Sequence, residues 1–405
     1  MKILHVTPAY YPATYFGGPI FSTYALCNAL AAIPSVELRV LTTDTAGPSL
    51  SDRVQVSGCP MRLGDGYDIY YTRRTVGVDI APGMLAQLPS MIYWADAILL
   101  TATYSFPTIP TLLACRLMDK PLVWSPRGAL QATHEWSRVR RPRVKRGWEW
   151  ICRRLKPRRC VLHVTAEVEA EASRARLPEF ATAIIPNGVE VPQALPARKW
   201  RPDSILRLMF ISRIDPKKGL DILLRTMPSI SDATLDIYGT GEPSYVAAMK
   251  QLAADLRLDS RVRFHGHVEG DAKRDAFLNA DVFVLPTHSE NFGMVVAEAL
   301  AHAVPVVVSH GAPWPDLQAQ GCGLWVANTS ADISQAIERL RGADLCAIGA
   351  LGRAWMQRDF SWSKRSDDMW HLMQEMVSEA HMPGKGSGLG GQVTPGATRN
   401  RRSKS

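Results

Sequence analysis

The chain has 405 residues, 46% hydrophobic and 21% charged, with a formal net charge of +9. That length exceeds one ordinary domain of ~100–200 residues and supplies apolar material for two cores. Seven scattered cysteines with no C-x-x-C pair argue against a disulfide framework or structural zinc and point to a reducing cytoplasm. The start, MKILHVTPAYYP, moves directly into a strand pattern, so no leader is expected. No apolar run reaches the ~18–20 residues of a membrane span. The positive charge is local. From Arg138 to Arg159 eleven Lys/Arg stand against Glu149 alone, and from Met382 onward five cations stand with no acid, so the rest of the chain is net acidic. A nucleic-acid partner calls for charge spread along a face and is set aside; an anionic membrane surface suits a local patch.

In chain order, Lys2–Pro8 and Val36–Thr43 read as short buried strands. Between them lies YYPATYFGGP and a helix carrying Ala25, Leu26, Ala29 and Leu30 on one side. The pair Gly17-Gly18 between strand and helix lets backbone approach a ligand in a doubly wound domain, and an ordinary tight turn explains it about as well. Tyr67–Arg74 alternates like an edge strand, Pro82–Tyr93 suits a helix, and Ala95–Thr101 is a buried strand. Phe106–Met118 reads as a helix stopped by Asp119-Lys120-Pro121, and Leu122–Pro126 as a strand ending in Arg127-Gly128. Val161–Ala166 and Ala183–Pro186 complete about seven β/α units with a parallel sheet. Within the basic stretch, Pro142 suits a helix start, and Val144, Trp148, Ile151 and Leu155 share one face. That stripe either packs on its own domain or forms an interfacial helix on anionic lipid.

Residues 191–202, VPQALPARKWRP, hold three prolines and no apolar period and read as the linker. A second alternating series follows, with strands at 206–212, 233–239, 261–266, 281–286 and 304–309, and helices starting near Lys218, Glu242, Asp271 and Met294. After Phe360-Ser361-Trp362 a last helix runs to about Ala380, and the tail from 381 is Gly/Ser/basic and expected to be disordered.

Two segments of the second series carry chemistry. Phe210–Leu220 runs strand, Arg213, then Lys218-Gly219 at a helix start, which sets two cations near the strand ends where open α/β sheets bind ligands. Arg grips a diphosphate bidentately and Lys supplies a point charge; alone, the segment is also a solvated turn. The stretch Phe283–Ser309 reads strand, polar loop, helix, strand, with Glu290 in the loop and Glu298 about a turn into the helix. The free amides of that helix N-terminus form an anion site, and flanking carboxylates can hold hydroxyls of the same ligand. That set suggests a sugar nucleotide.

Taken together, F-x-x-R-x-x-x-x-K-G from Phe210, E-x-x-x-x-x-x-x-E from Glu290, the Gly17-Gly18 loop, Pro186-Asn187-Gly188-Val189 and GHVEGDAKRDAFLNADVFVLPT resemble the retaining family-4 (group 1) glycosyltransferases. The likeness covers roughly residues 1–380 and is densest over 205–310. It implies a GT-B fold: two Rossmann-like α/β/α domains with parallel sheets facing a cleft, and a C-terminal helix crossing back to the first. The corresponding division is 1–190 for an acceptor-binding domain, 191–202 for the linker, 203–360 for a nucleotide-sugar domain, 361–380 for the returning helix and 381–405 for the tail. By position, the resemblance assigns Arg213 and Lys218 to the donor diphosphate, and Phe292, Gly293, Met294 and Val295 to phosphate or sugar through their amides. It gives Glu290 the transferred sugar and Glu298 the ribose, brings Val268 and Lys273 near the base, and brings Gly17 and Gly18 to the phosphates or acceptor.

One position departs from the family. Where a His-Gly is common, this chain has Arg127-Gly128. Arginine is no base at neutral pH, its pKa exceeding ~12; Arg127 instead stabilises a leaving phosphate or binds an anionic acceptor. His134 is the nearby histidine. No D-x-D motif occurs, and two cations with a helix N-terminus make a metal unnecessary. Gly239-Thr240-Gly241 mimics a dinucleotide fingerprint without its last glycine, and His265 with His267 lacks a third metal ligand.

The function expected is transfer of a hexose-type sugar, with retention and without metal or other cofactor, from a UDP- or GDP-linked donor. The acceptor is a lipid-linked or growing glycan of lipopolysaccharide or exopolysaccharide synthesis, and the place is the cytoplasm or the inner face of the plasma membrane, docked through 138–159. The alternatives are a non-catalytic GT-B scaffold and, further off, an NAD(P)-dependent oxidoreductase.

Overall fold

A computed structural model of the protein describes residues 1–56, 60–62, 66–77, 79–131, 142–198, 200 and 205–379. His134, the 138–141 start of the basic stretch, parts of the linker (199 and 201–202) and the tail from 381 lie outside these residues. The chain separates into two units, Met1–Gly188 with the helix that begins at Trp362, and Val189–Ser361.

Unit 1 is built from β1 (Lys2–Val6), α1 (Gly18–Ala31), β2 (Glu37–Thr43), β3 (Met61–Arg62), β4 (Asp68–Thr72), α2 (Pro82–Trp94), β5 (Ala97–Thr101), α3 (Thr108–Leu117), β6 (Leu122–Ser125), α4 (Pro142–Arg154), β7 (Cys160–Val164), α5 (Glu167–Arg176) and β8 (Ala181–Ile184). Its sheet runs β3-β4-β2-β1-β5-β6-β7-β8 and is parallel except for the β3–β4 pair. Strands β5, β6 and β7 are buried at every residue, as their unbroken apolar runs require of a sheet covered on both faces. The strand read at the sheet edge from the alternation in 67–74 is hydrogen-bonded on both sides, parallel to β2 and antiparallel to β3. Two residues are too few to show a period, so β3 left no signal.

Unit 2 contains β9 (Leu206–Ile211), α6 (Leu220–Thr226), β10 (Ala233–Tyr238), α7 (Pro243–Asp255), β11 (Val262–Gly266), α8 (Gly270–Asn279), β12 (Val282–Leu285), α9 (Met294–Ala301), β13 (Val306–Ser309), β14 (Gly323–Val326), α10 (Ser330–Arg341) and α11 (Leu345–Asp359). Its parallel sheet has the order β11-β10-β9-β12-β13-β14, the doubly wound arrangement with its topological switch between β9 and β12. Asp281, fully buried, accepts from the Arg207 main-chain N–H and from its Nε, both at 2.9 Å, and so ties the start of β9 to β12. The linker is bound to unit 2: Arg198 Nη2 donates to the Phe277 carbonyl at 2.8 Å, and Arg353 donates to the Pro192 carbonyl.

The last helix, α12 (Trp362–Ser378), belongs to unit 1 and packs on α1, as the GT-B resemblance implies. Met369, Leu372, Met373 and Met376, at spacings of three, one and three, are all buried in the core that also holds Leu26, Cys27 and Leu30. Met373→Ala removes a fully buried side chain and is expected to lower the stability of unit 1 by about 2–5 kcal/mol. Urea denaturation of the full chain followed by tryptophan fluorescence measures it, and an unchanged midpoint would show that α12 contributes nothing.

Candidate functional site

The switch point of unit 2 gathers the residues that the sequence singled out there. After β9 the chain passes through Arg213 to a tight turn at 216–218, capped by Asp215, whose carboxylate accepts from the Lys217 N–H at 2.9 Å. Gly219 follows at φ +66°, and a Cβ there would stand 2.0 Å from the Pro286 carbonyl oxygen, so this turn touches the end of β12 only because residue 219 is glycine. The Lys217 carbonyl accepts from His288 N–H at 2.8 Å and from Thr287 Oγ1 at 3.1 Å. The Thr287 carbonyl accepts from Ser309 Oγ at 2.5 Å, and Glu290 N–H donates to the Gly311 carbonyl at 2.8 Å. The loops after β9, β12 and β13 are thereby laced together.

Out of that lacing comes an ion pair. Lys218 Nζ donates to Glu290 Oε1, and both side chains are largely buried. Eight residues on, Glu298 Oε1 accepts from Lys273 Nζ of α8 at 2.7 Å, while its Oε2 is buried with no partner among the described residues. A buried carboxylate oxygen left unsatisfied calls for a donor such as a ligand hydroxyl. Gly293 caps α9, and the first turn there, including Met294 and Val295, leaves N–H groups without intrahelical acceptors. The Phe292 carbonyl is taken by Trp314 Nε1 at 2.6 Å, which holds the loop against the core. Arg213 is exposed and pairs with no acid among the described residues. Val268 is half-buried between β11 and α8.

The dinucleotide-like glycines have a packing explanation. A Cβ at Gly239 would meet the Ser212 carbonyl oxygen at 1.8 Å, and one at Gly241 the Ile214 carbonyl oxygen at 1.9 Å. Both let the chain after β10 run against the chain after β9, where Ile214 N–H donates to the Thr240 carbonyl at 2.8 Å. The two histidines of β11 and its exit have separate partners: His265 stacks on Tyr238 and meets Asp236 at 2.6 Å, while His267 lies 3.6 Å from Glu269. The Tyr238–His265 stack and the Lys273–Glu298 pair escaped the sequence reading, because their members come from different β/α units.

Unit 1 holds Gly17, Gly18 and Arg127. Open space lies over both glycines, unlike Gly219, Gly239 and Gly241, and Gly17 at φ +72° caps α1 with no side-chain cap and no acid in the first turn. Arg127, two residues past β6, sits at φ +54° and donates to Asn187 Oδ1 at 2.7 Å. Nearby, two buried histidines stand on β1 and β7, with β5 and β6 between them in the sheet. His5 Nε2 meets Thr101 Oγ1 at 3.0 Å. His163 donates from Nε2 to the Ile185 carbonyl at 2.9 Å, so its Nδ1 accepts from Ser125 Oγ at 2.7 Å. Burial first, and the Arg127 charge second, lower both to about 3. The signal in the sequence was a lone histidine in each apolar strand, which marks burial but not its neighbours.

Compared with known proteins, residues 206–342 match the family model described as "Glycosyl transferases group 1". A GDP-mannose-dependent monoacylated alpha-(1-6)-phosphatidylinositol monomannoside mannosyltransferase of Corynebacterium glutamicum is 29% identical over 40% of this chain and 45% of its own length. The GDP-mannose-dependent alpha-(1-6)-phosphatidylinositol monomannoside mannosyltransferase of Mycobacterium tuberculosis is 29% identical over 50% of this chain and 58% of its own. The chain thus spans about half the length of these curated relatives. Among solved structures, sucrose-phosphate synthase from Thermosynechococcus elongatus superposes with a TM-score of 0.69 at 18% identity, covering 94% of this chain and 100% of that one. Anabaena HepE in complex with UDP gives 0.67 at 15%, covering 93% and 100%. The fold is GT-B, and within unit 2 the chain is similar to the group 1 glycosyltransferase family over residues 206–342.

The buried histidines set a pH dependence. In the unfolded chain they titrate near 6.5, and in unit 1 near 3, so between those values the unfolded state binds more protons. Stability is complete above about pH 6.5 and falls with acid, by up to about 1.4 kcal/mol per pH unit for each histidine. Urea midpoints at pH 7 and pH 5 measure the slope, and replacing both histidines by Asn should flatten it; equal wild-type midpoints would contradict the assignment.

Proposed function

We propose that this protein is a retaining glycosyltransferase that moves a hexose-type sugar from a UDP- or GDP-linked donor to a glycan or lipid-linked acceptor of cell-surface polysaccharide synthesis. The observation that carries the reading is the meeting, at one sheet edge, of Lys218, Glu290, an open helix N-terminus and the unsatisfied oxygen of Glu298. In this reading Arg213, Lys218 and the α9 amides neutralise the donor diphosphate without a metal, and stabilising the leaving group is the main catalytic contribution. Glu290 faces the transferred sugar and orients Lys218. Glu298, steadied by Lys273, accepts from the ribose hydroxyls, with Val268 beside the base. Sugar departure and acceptor attack take place on the same face, and the departing diphosphate oxygen takes the acceptor proton. Support for the donor class comes from relatives named for GDP-mannose and a structural neighbour holding UDP.

Lys218→Ala and Glu290→Ala are each expected to abolish transfer from a radiolabelled nucleotide sugar, with the circular dichroism spectrum unchanged. Near-normal turnover by either variant would refute the assignment.

The acceptor side of the proposal places the enzyme on the cytoplasmic face of an anionic membrane. No helix among the described residues is long and apolar enough to cross a membrane. In α4, Trp148 and Cys152 turn toward the domain, whereas Arg143, Arg146, Arg153 and Arg154 are exposed around Trp150, itself 57% exposed. Arg154 lies 5.3 Å from the Trp150 ring. Cations around an exposed indole suit an anionic lipid interface. Arg153→Glu with Arg154→Glu should release the protein from phosphatidylglycerol liposomes in a flotation assay while sparing its behaviour with phosphatidylcholine; retained binding would sink this part of the proposal.

A further inference from the structure

We infer that unit 1 carries a site for an anionic group, a carboxylate or phosphate, on the acceptor, formed by Arg127 and the N-terminal turn of α1. This rests on the glycosyl-transfer reading above and specifies the acceptor class for it.

Arg127 is a permanent cation held where few non-glycine residues go, at φ +54° just past β6. Its Nη1 donates to Asn187 Oδ1 at 2.7 Å and reaches Ser22 Oγ, in the second turn of α1, at 3.5 Å. Its Nε is buried and has no partner among the described residues. A guanidinium offers five N–H donors in a planar fork, and an orphaned buried donor is a place for an acceptor that arrives with a ligand. Among the described residues, the titratable groups around it add no further cation. His5 and His163 are neutral, and Cys27, pushed up to about 12 by burial, stays a thiol. Glu169 acts on Arg127 through charge, while its Oε1 accepts from the Gly128 N–H and its Oε2 from Thr165 N–H and Oγ1, each of the latter at 2.8 Å.

The α1 terminus is the second half of the site. It has no side-chain cap and no acid in its first turn, and nothing lies within 4 Å of where a Cβ of Gly17 or Gly18 would be. Packing therefore does not need both glycines; a ligand approaching the backbone does. A fork-shaped cation beside an open helix N-terminus binds a planar carboxylate or a phosphate oxygen pair in preference to a neutral hydroxyl. The donor diphosphate already has Arg213, Lys218 and the α9 terminus within unit 2, so the charge in unit 1 falls to the acceptor.

The test is isothermal titration of the full chain, wild type, Arg127→Gln and Arg127→Lys, with glucuronate, glucose 6-phosphate and glucose, and separately with UDP and GDP. Wild type should bind at least one acidic sugar about tenfold or more tighter than glucose. Arg127→Gln should lose that preference, Arg127→Lys should recover part of it, and nucleotide affinity should be the same in all three. Equal binding of acidic and neutral sugars, or a preference that survives Arg127→Gln, overturns the inference. A fall in nucleotide affinity in Arg127→Gln assigns Arg127 to the donor phosphates and overturns it too. Failure of wild type to bind either nucleotide removes the glycosyl-transfer reading instead. Should Arg127→Gln not fold, Arg127→Lys and Gly18→Ala, whose new methyl meets nothing, replace it: loss of acidic-sugar preference in Gly18→Ala supports the site, and full retention in both variants overturns it.

Discussion

The Lys217 carbonyl oxygen accepts two hydrogen bonds from the loop after β12, and the candidate donor site depends on that pair of contacts. They join the two strands on either side of the switch point just beyond the place where the sheet stops joining them. Lys218 is the next residue in the chain, and Glu290 is two residues past His288. With both main chains fixed, a long flexible lysine and a glutamate meet without ordering their backbones for that purpose, so less conformational entropy opposes the contact. Gly219 belongs to the same constraint, since any Cβ there would collide with the Pro286 carbonyl and push the turn away from β12.

The two units handle charge differently. At the unit 2 site two cations pair with carboxylates, Lys218 with Glu290 and Lys273 with Glu298, while Arg213 stays in solvent. A diphosphate can enter such a set by exchanging for a carboxylate on a flexible ammonium. In unit 1 the Arg127 guanidinium has, among the described residues, neutral imidazoles, hydroxyls and an amide around it, and the Glu169 carboxylate accepts from Gly128 and Thr165. That arrangement fixes the position of the charge through Nη1 and leaves Nε unspent among the described residues, which favours selecting one anion over exchanging several.

How much of this was legible depended on how local each feature is. Glu290 and Glu298 could be read because strand, loop and helix follow one another within 27 residues, and the spacing alone brackets the helix N-terminus. Lys218-Gly219 after a strand was legible for the same reason. The setting of Arg127 was not: His5, Ser22, Asn187 and Glu169 come from four other segments, and only the fold brings them together. In α4 the sequence puts Val144, Trp148, Ile151 and Leu155 on one face; Trp148 and Leu155 pack on the core, yet Val144 is 59% exposed and the most buried positions are Glu149 and Cys152. The reason is a buried polar contact that no periodicity reveals. Glu149 accepts from Arg176 Nε at 3.1 Å and from the Tyr104 hydroxyl, and these partners rotate the helix inward on its charged residue.

The central claim is that the edge of unit 2 built on the Lys217 carbonyl binds a sugar linked to a nucleoside diphosphate. Saturation-transfer NMR on the full chain, with UDP-glucose, UDP-galactose, GDP-mannose and NAD as probes, tests it most directly. The account predicts transfer to at least one nucleotide sugar, through both its ribose and its sugar protons, and none to NAD. Transfer to NAD alone, or to no nucleotide sugar at all, would contradict it.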